Sequence, residues 1–210
     1  GVVLGILSGL LFKRTMFTGE EAPFVIELPP YRMPSAKNVL THVWERVSHF
    51  LEKAGTIIFA MSVLLWFLES FNFSFQMVEN AGDSIIGRIG SLIAPVFTPL
   101  GFGTWQAAVA LITGIVAKEA VVSSLAMFYG FSVSAESAVV GSALAGTFTP
   151  LAAYSFLVFV LLYTPCMAAV ATMRRELASR KWTAFAVVYQ IGIAYIAALL
   201  TYFIGSFFAG

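Results

Sequence analysis

The chain has 210 residues, of which 59% are hydrophobic and only 11% charged, with a formal net charge of +1 and a mean hydropathy of +0.88. Soluble domains carry about 25% charged residues, so this composition excludes a water-soluble globular fold, and the small net charge excludes a basic surface for nucleic acid. The single cysteine, Cys166, excludes an internal disulfide framework and a metal site built on paired cysteines.

Three long stretches contain no Asp, Glu, Lys or Arg. A helix that crosses a bilayer needs about 20 mostly apolar residues, and each stretch is long enough to supply one: 89–117, 137–173 and 182–210. The predicted fold class is therefore an all-α, polytopic helical membrane protein. The segments described below add an interfacial amphipathic helix and several broken or re-entrant helices.

The N-terminal segment, residues 1–12, is apolar but too short to span a bilayer. It lacks the basic start and the cleavage-type end of a signal peptide. We therefore expect residues 1–12 to be the end of a truncated transmembrane helix and the chain to be a piece of something larger.

Residues 13–53 hold nearly half of the charged residues. Four prolines between residues 17 and 34 predict a loop. From Ser35 onward, apolar residues recur at helical spacing opposite a charged face, which predicts an amphipathic helix in the membrane interface with Trp44 near the lipid headgroups. The basic residues of 13–53 indicate a cytoplasmic section, and residues 54–210 are predicted to form the membrane helical domain.

Several helices of the membrane domain are predicted to be interrupted. Pro95, Pro99 and Gly101 argue against a continuous span and favour a re-entrant or half-membrane segment. The remaining segments are 104–131 with two charges at its middle, 134–148 with many small residues, 150–173 with a break at residues 163–166, and the final span 182–208.

The orientation of the later segments stays open. If three spans follow the cytoplasmic section, the basic residues at 174, 175, 180 and 181 lie outside the cell, against the positive-inside rule. Either one segment is re-entrant, which changes the count, or this short loop departs from the rule.

Lys118 and Glu119 are the first candidate site residues. An ionisable residue at the centre of a span costs at least ~2.5–3.5 kcal/mol and usually faces a bundle interior or a wet cavity. Neighbours on a helix do not face each other, so the two side chains need separate partners. Gly114, one turn earlier, is a place where the helix could break. Two interpretations stay open: an ion pathway through a discontinuous helix, or an interhelical ion pair that fixes the packing.

Thr164, Pro165, Cys166 and Met167 form the second candidate. Pro165 lacks an N–H, so it leaves a carbonyl near Leu161 without its helical partner and free for a cation. The sulfur atoms of Cys166 and Met167 suit Fe(II), Cu(I) or Zn better than Mg or Ca. We consider Cys166, Met167 and Glu119 as metal ligands. The alternative is a proline kink beside an inert buried cysteine.

Other polar clusters carry less weight. His42, Glu45 and His49 share one face of the interfacial helix, which favours a solvated surface over a metal site. No nucleophile and base, and no pair of carboxylates, occurs at a spacing typical of catalysis. We therefore expect this chain not to be an enzyme and to need no cofactor.

Four segments together resemble the FeoB ferrous iron transporters. They occur in the family's order: PFVIELPPYRMP at 23–34, Trp44 followed by KAGTII at 53–58, GIVAKE at 114–119 and LYTPC at 162–166. The resemblance covers residues 23–202. It implies inward Fe²⁺ transport across a bacterial or archaeal inner membrane by a multi-pass protein, with Fe²⁺ as the transported ion.

The resemblance also implies partners outside this chain. The family carries an N-terminal GTP-binding domain and two Gate regions related as pseudo-repeats, and this chain is similar to the part with the second Gate. Cys166 falls on the cysteine of that Gate, which is suspected of lining the iron path. The implied partners are therefore the lipid bilayer, Fe²⁺, the GTPase domain and the first Gate half, with a homo-oligomer left open.

Two other functions remain as alternatives. A Gate-type transporter of another solute, such as a nucleoside, would need a polar pocket, whereas the membrane segments offer only Gln106, Glu119 and Gln190. A non-transporting membrane scaffold would bind partners through the small-residue face at 138–146, and substitution of Lys118 or Glu119 would then have no effect on transport.

Overall fold

Helices make up almost all of the structure, a computed structural model that describes residues 1–16, 35–78, 80–131, 137–163 and 167–209. For residues 49–50, 52–54, 57–58, 137–140 and 209 it describes the helix without the side chain. Within these ranges there is no β-strand, and Phe71 and Met77 form an isolated bridge. The predicted all-α class is confirmed. The α-helices are α1 (Val2–Thr15), α2 (Ala36–Ser70), α3 (Ile85–Phe97), α4 (Trp105–Gly114), α5 (Glu119–Tyr129), α6 (Ser137–Leu144), α7 (Pro150–Leu162), α8 (Met167–Leu177) and α9 (Arg180–Ala209).

The chain divides into two units, Gly1–Leu51 and Glu52–Gly210. The first unit contains α1, whose last turn carries Lys13 and Arg14, where positive charge is favourable at the helix C-terminus. It also contains the start of α2, on which Trp44 is exposed. Helix α2 is a single element of 35 residues that includes both the amphipathic sequence and the apolar sequence after it.

Helices α3 and α4 form a sharply bent pair in the second unit. A 3₁₀ turn (Thr98–Leu100) and Gly101, whose φ of +86° suits a residue without a side chain, end the first helix. The Thr104 hydroxyl then accepts from the Ala107 N–H and begins α4. The two helices differ in direction by 101°. The predicted interruption of this uncharged stretch is therefore confirmed.

Two stretches of the described chain are long and apolar enough to cross a bilayer. They are Pro150–Leu177, in which residues 164–166 lie outside the described part, and Arg180–Phe208. The bent α3–α4 pair is a third if it counts as one span. The predicted final span corresponds to α9. Shorter apolar helices occur at Phe59–Ser70 and Glu119–Tyr129.

The core of the second unit joins α7 to the α3–α4 turn and to α9. The Phe102 ring is buried against Phe97 and Phe156, at centroid distances of 5.5 and 5.1 Å. On the other side of α7, the buried Ser155 hydroxyl donates to the Ala198 carbonyl of α9 at 3.0 Å. These contacts hold α7 with its C-terminal end beside the gap between α4 and α5.

Candidate functional site

The gap between α4 and α5 is the first part of the site. Helix α4 ends at Gly114 and α5 begins at Glu119, so the predicted break at Gly114 is confirmed. The N–H groups of Ile115 and Val116 donate to carbonyls three residues back, at 3.1 and 3.0 Å, which tightens the end of α4. The segment after Gly114 therefore leaves the helical path and carries Lys118 toward a neighbouring helix.

Gly114 is required at this position by close packing. A Cβ atom added there would overlap the Tyr163 hydroxyl and the Val121 side chain. The Tyr163 hydroxyl itself donates to the Leu111 carbonyl at 3.4 Å. The tyrosine that follows α7 thus lies directly against the end of α4, and only a glycine leaves room for it.

Lys118 bonds to the C-terminal end of α7. Its Nζ donates to the carbonyl oxygens of Val160 at 3.2 Å and Leu161 at 3.3 Å, and lies 5.3 Å from the centroid of the Tyr163 ring. The last carbonyls of a helix have no partner within the helix and carry partial negative charge. The sequence predicted a free carbonyl near Leu161 that could accept a cation. In the structure the Leu161 carbonyl accepts a hydrogen bond from the Lys118 ammonium, while the predicted role of Pro165 concerns a residue outside the described part.

A backbone bond completes the contact between the two interrupted regions. The Met167 N–H, at the start of α8, donates to the Ile115 carbonyl at 2.9 Å. The gap after α4 and the gap after α7 therefore contact each other through both a side chain and the main chain. Thr164, Pro165 and Cys166 lie outside the described residues, so their predicted roles stay predictions.

Glu119 begins α5 and is exposed. A carboxylate in the first turn is favourable because the helix N-terminus carries partial positive charge. Within the described ranges its carboxylate has no hydrogen bond or ion pair, and it does not pair with Lys118. The two adjacent side chains therefore do not pair with each other, as predicted, but in the described residues only Lys118 has the separate partner that the sequence led us to expect.

A buried pair of hydroxyls beside the gap was missed in the sequence. The Oγ atoms of Thr113 and Ser124 lie 2.9 Å apart, and Thr113 also donates to the Ala110 carbonyl at 2.9 Å. The sequence likewise indicated Tyr163 only as part of the interruption at residues 163–166, and not as a contact of α4. The sequence does contain a signal, because polar side chains in an apolar segment need hydrogen-bond partners. The spacing of these residues along the chain does not reveal which partners they find.

Of the predicted metal ligands, Met167 and Glu119 lie in the described part of the chain and Cys166 lies outside it, so this ligand set stays a prediction. No group of three or more His, Cys, Asp or Glu side chains in the described part could hold a metal ion. Met167 is partly exposed at the start of α8.

In the first unit, His42 Nδ1 lies 3.5 Å from a carboxylate oxygen of Glu45, both side chains being exposed. This geometry fits the solvated surface that the sequence favoured.

Comparison with protein families identifies the chain. The Gate family, described as "Nucleoside recognition", matches residues 51–180, which is more than half of the chain. The chain belongs to the Gate family. A second family, described as "Ferrous iron transport protein B C terminus", matches residues 1–46 of this Gate protein. The resemblance to the C-terminal membrane part of FeoB, predicted from four motifs, is thereby confirmed.

Similar proteins are Fe(2+) transporters. The Fe(2+) transporter FeoB of Staphylococcus aureus is 40% identical over 208 residues, which covers 99% of this chain and 31% of the relative. That of Methanocaldococcus jannaschii is 40% identical over 213 residues, covering 98% and 31%. A Fe(2+) transport protein A/Fe(2+) transporter FeoB fusion protein of Porphyromonas gingivalis is 34% identical over 252 residues, covering 99% and 30%. The chain therefore spans less than a third of these relatives. No solved structure matches it.

Proposed function

We propose that this chain forms half of the transmembrane pathway of a ferrous iron uptake permease. The observation that carries the proposal is similarity to Fe(2+) transporters over almost the whole chain, at 40% identity in two distant organisms. The membrane context agrees, because the described residues include helices long and apolar enough to span.

The geometry of the site supports a transport role. Discontinuous helices form the ion and substrate sites of many transporters, because their ends present unpaired backbone groups inside the membrane. Here two interrupted regions contact each other through Lys118 and Met167. We infer that Lys118, Glu119, Gly114, Thr164 and Pro165 line the pathway.

The transported ion would meet sulfur ligands near the start of α8. We infer that Cys166 and Met167, with Glu119, contact Fe²⁺, since soft sulfur and a carboxylate together suit Fe(II).

We further propose that transport is coupled to or regulated by a GTPase domain outside this chain, that the first Gate half completes the pathway, and that the protein lies in a bacterial or archaeal inner membrane. A homo-oligomer is compatible with this arrangement.

The test is Fe²⁺ uptake by the complete transporter reconstituted in liposomes. Loss of an outer-shell partner already costs about 10–100-fold in metal affinity, so Cys166→Ser should lower uptake by at least about tenfold. Met167→Leu should lower it less, and Met127→Leu, an exposed methionine of α5, is the matched control that leaves it unchanged. Normal uptake by folded Cys166→Ser would remove Cys166 from the pathway.

A nucleoside is the second candidate substrate because the Gate family carries that description. The side-chain oxygen of Gln190 is buried without a hydrogen-bond partner in the described residues, and such an atom could accept from a polar solute. The same liposomes decide between the two. Uptake of labelled nucleoside with no Fe²⁺ uptake would replace the first proposal.

A further inference from the structure

The C-terminal end of α7 has the properties of a cation-binding position. Val160 and Leu161 belong to its last turn, and their carbonyl oxygens lie beyond the reach of the helix's own N–H groups. The aligned peptide dipoles place about half a negative charge at such an end. Both oxygens accept from one positively charged group, the Lys118 ammonium. A cation is therefore already bound there, although it belongs to the protein.

The Lys118 ammonium is held by weak contacts. Its distances of 3.2 and 3.3 Å to the two oxygens lie at and just beyond the long end of ordinary N–H···O hydrogen bonds, about 2.7–3.2 Å. Within the described ranges no carboxylate pairs with it. The remaining contact is the Tyr163 ring at 5.3 Å, within the range of cation–π attraction. A four-carbon stem with free rotation lets such an ammonium leave its acceptors.

A second cation and the ammonium cannot use these oxygens together. Like charges at coordination distance repel strongly, and the repulsion grows as the surroundings become less polar. An ion that reaches the end of α7 must therefore displace Lys118. After displacement, it would find the two carbonyl oxygens of Val160 and Leu161, and the Met167 N–H ties the start of α8 to Ile115, three residues before Lys118.

We propose that the carbonyl oxygens of Val160 and Leu161 form a binding position for the transported divalent cation, and that the Lys118 ammonium occupies this position in the resting state as a displaceable internal cation. The inference rests on the proposed function and adds a mechanism of closure to it. Lys118 is thus a residue that regulates access, and its competition with the ion sets the Fe²⁺ concentration at which transport begins.

Competition predicts opposite effects for two substitutions. Suppose that the end of α7 is free of the Lys118 ammonium in about one molecule in ten. Removing the ammonium then lowers the apparent dissociation constant for Fe²⁺ about tenfold. Lys118→Met keeps the stem but removes the charge, so the Fe²⁺ concentration for half-maximal uptake should fall about tenfold. Lys118→Arg offers both carbonyls a planar fork of donors. It should raise the half-saturating concentration several-fold, with the maximal rate recovered at high Fe²⁺.

The measurement is initial Fe²⁺ uptake against Fe²⁺ concentration by the complete transporter in liposomes. Lys181→Met, which removes an exposed lysine at the start of α9, is the control for loss of charge and should leave the curve unchanged. A purely structural role for Lys118 would lower the maximal rate in both variants without moving the half-saturating concentration, and this result would overturn the proposal.

The charge-conserving variant keeps the experiment decisive if Lys118→Met does not fold. A half-saturating concentration for Lys118→Arg equal to that of the unchanged transporter then rejects the internal cation, and a raised one supports it. Failure of the proposed function is seen separately, because the unchanged transporter would itself take up no Fe²⁺.

Discussion

Helix α9 and the α4–α5 region differ in their polar contacts with the rest of the chain, although α9 also makes one, since its Tyr195 hydroxyl donates to the Val96 carbonyl of α3 at 2.9 Å. In the 30-residue α9, the hydroxyls of Thr201 and Ser206 donate to carbonyls of their own helix, at 2.8 Å each. In α4–α5, Lys118 donates to α7, and the Thr113 hydroxyl contacts Ser124 across the gap. An uninterrupted helix satisfies its backbone internally, as a lipid environment requires. An interrupted helix depends on its neighbours, and here the interruption brings the Lys118 ammonium to the end of α7.

The strongest test of this contrast is a pair of glycine substitutions. Gly114→Ala places a Cβ atom against Tyr163 and Val121, so it should lower the free energy of unfolding of the complete protein by about 1–3 kcal/mol. Gly192→Ala in α9 meets no atom within 4 Å and should stabilise the protein by about 0.5–1 kcal/mol, because alanine favours a helix interior. Thermal denaturation in detergent measures both. Equal effects would show that the gap is no more tightly packed than α9.

The hydroxyl pair beside the gap should show strong coupling. Thr113→Val leaves the buried Ser124 hydroxyl without this partner, at a cost of about 1–3 kcal/mol. The double variant Thr113→Val with Ser124→Ala removes both groups and should cost much less than the sum of the two single changes. The free energies of unfolding of the four proteins form the cycle. Simple additivity would mean that the two hydroxyls do not stabilise the gap together.

A smaller effect is expected where α9 supports α7. Ser155→Ala removes the bond to the Ala198 carbonyl, which keeps its place in its own helix. Hydrogen bonds between membrane helices average about 0.6 kcal/mol, so the denaturation midpoint should fall only slightly. Fe²⁺ uptake should be unchanged. A marked loss of uptake would extend the functional region to the α7–α9 contact.

The smallest expected effect concerns the Tyr163 hydroxyl. Its bond to the Leu111 carbonyl is long, at 3.4 Å, so Tyr163→Phe should cost less than about 0.5 kcal/mol. The ring stays under the Lys118 ammonium, and the half-saturating Fe²⁺ concentration should therefore not change. A shifted concentration would show that the hydroxyl, rather than the ring, holds the ammonium in place.

Much of the fold was predictable because the signals are local. The absence of charge marks the spans, proline and glycine mark the interruptions after α3 and at Gly114, and the period of the apolar residues marks α2. The free carbonyl near Leu161 was also predictable, since Pro165 cannot donate to it. The Thr113–Ser124 pair and the position of Tyr163 against Gly114 were not predictable, because both depend on how separate segments pack.

The sequence by itself determined that this chain is a helical membrane protein of the Gate family and where several of its helices break, whereas the predicted span 104–131 is two short helices, α4 and α5, in the structure. Only the tertiary structure decided the partner of Lys118. Its two acceptors lie 42 and 43 positions further along the chain, and nothing in local spacing connects them. A helix end creates unsatisfied carbonyls wherever the chain stops being helical, but the packing of α7 against α9 and the α3–α4 turn determines which cation reaches them.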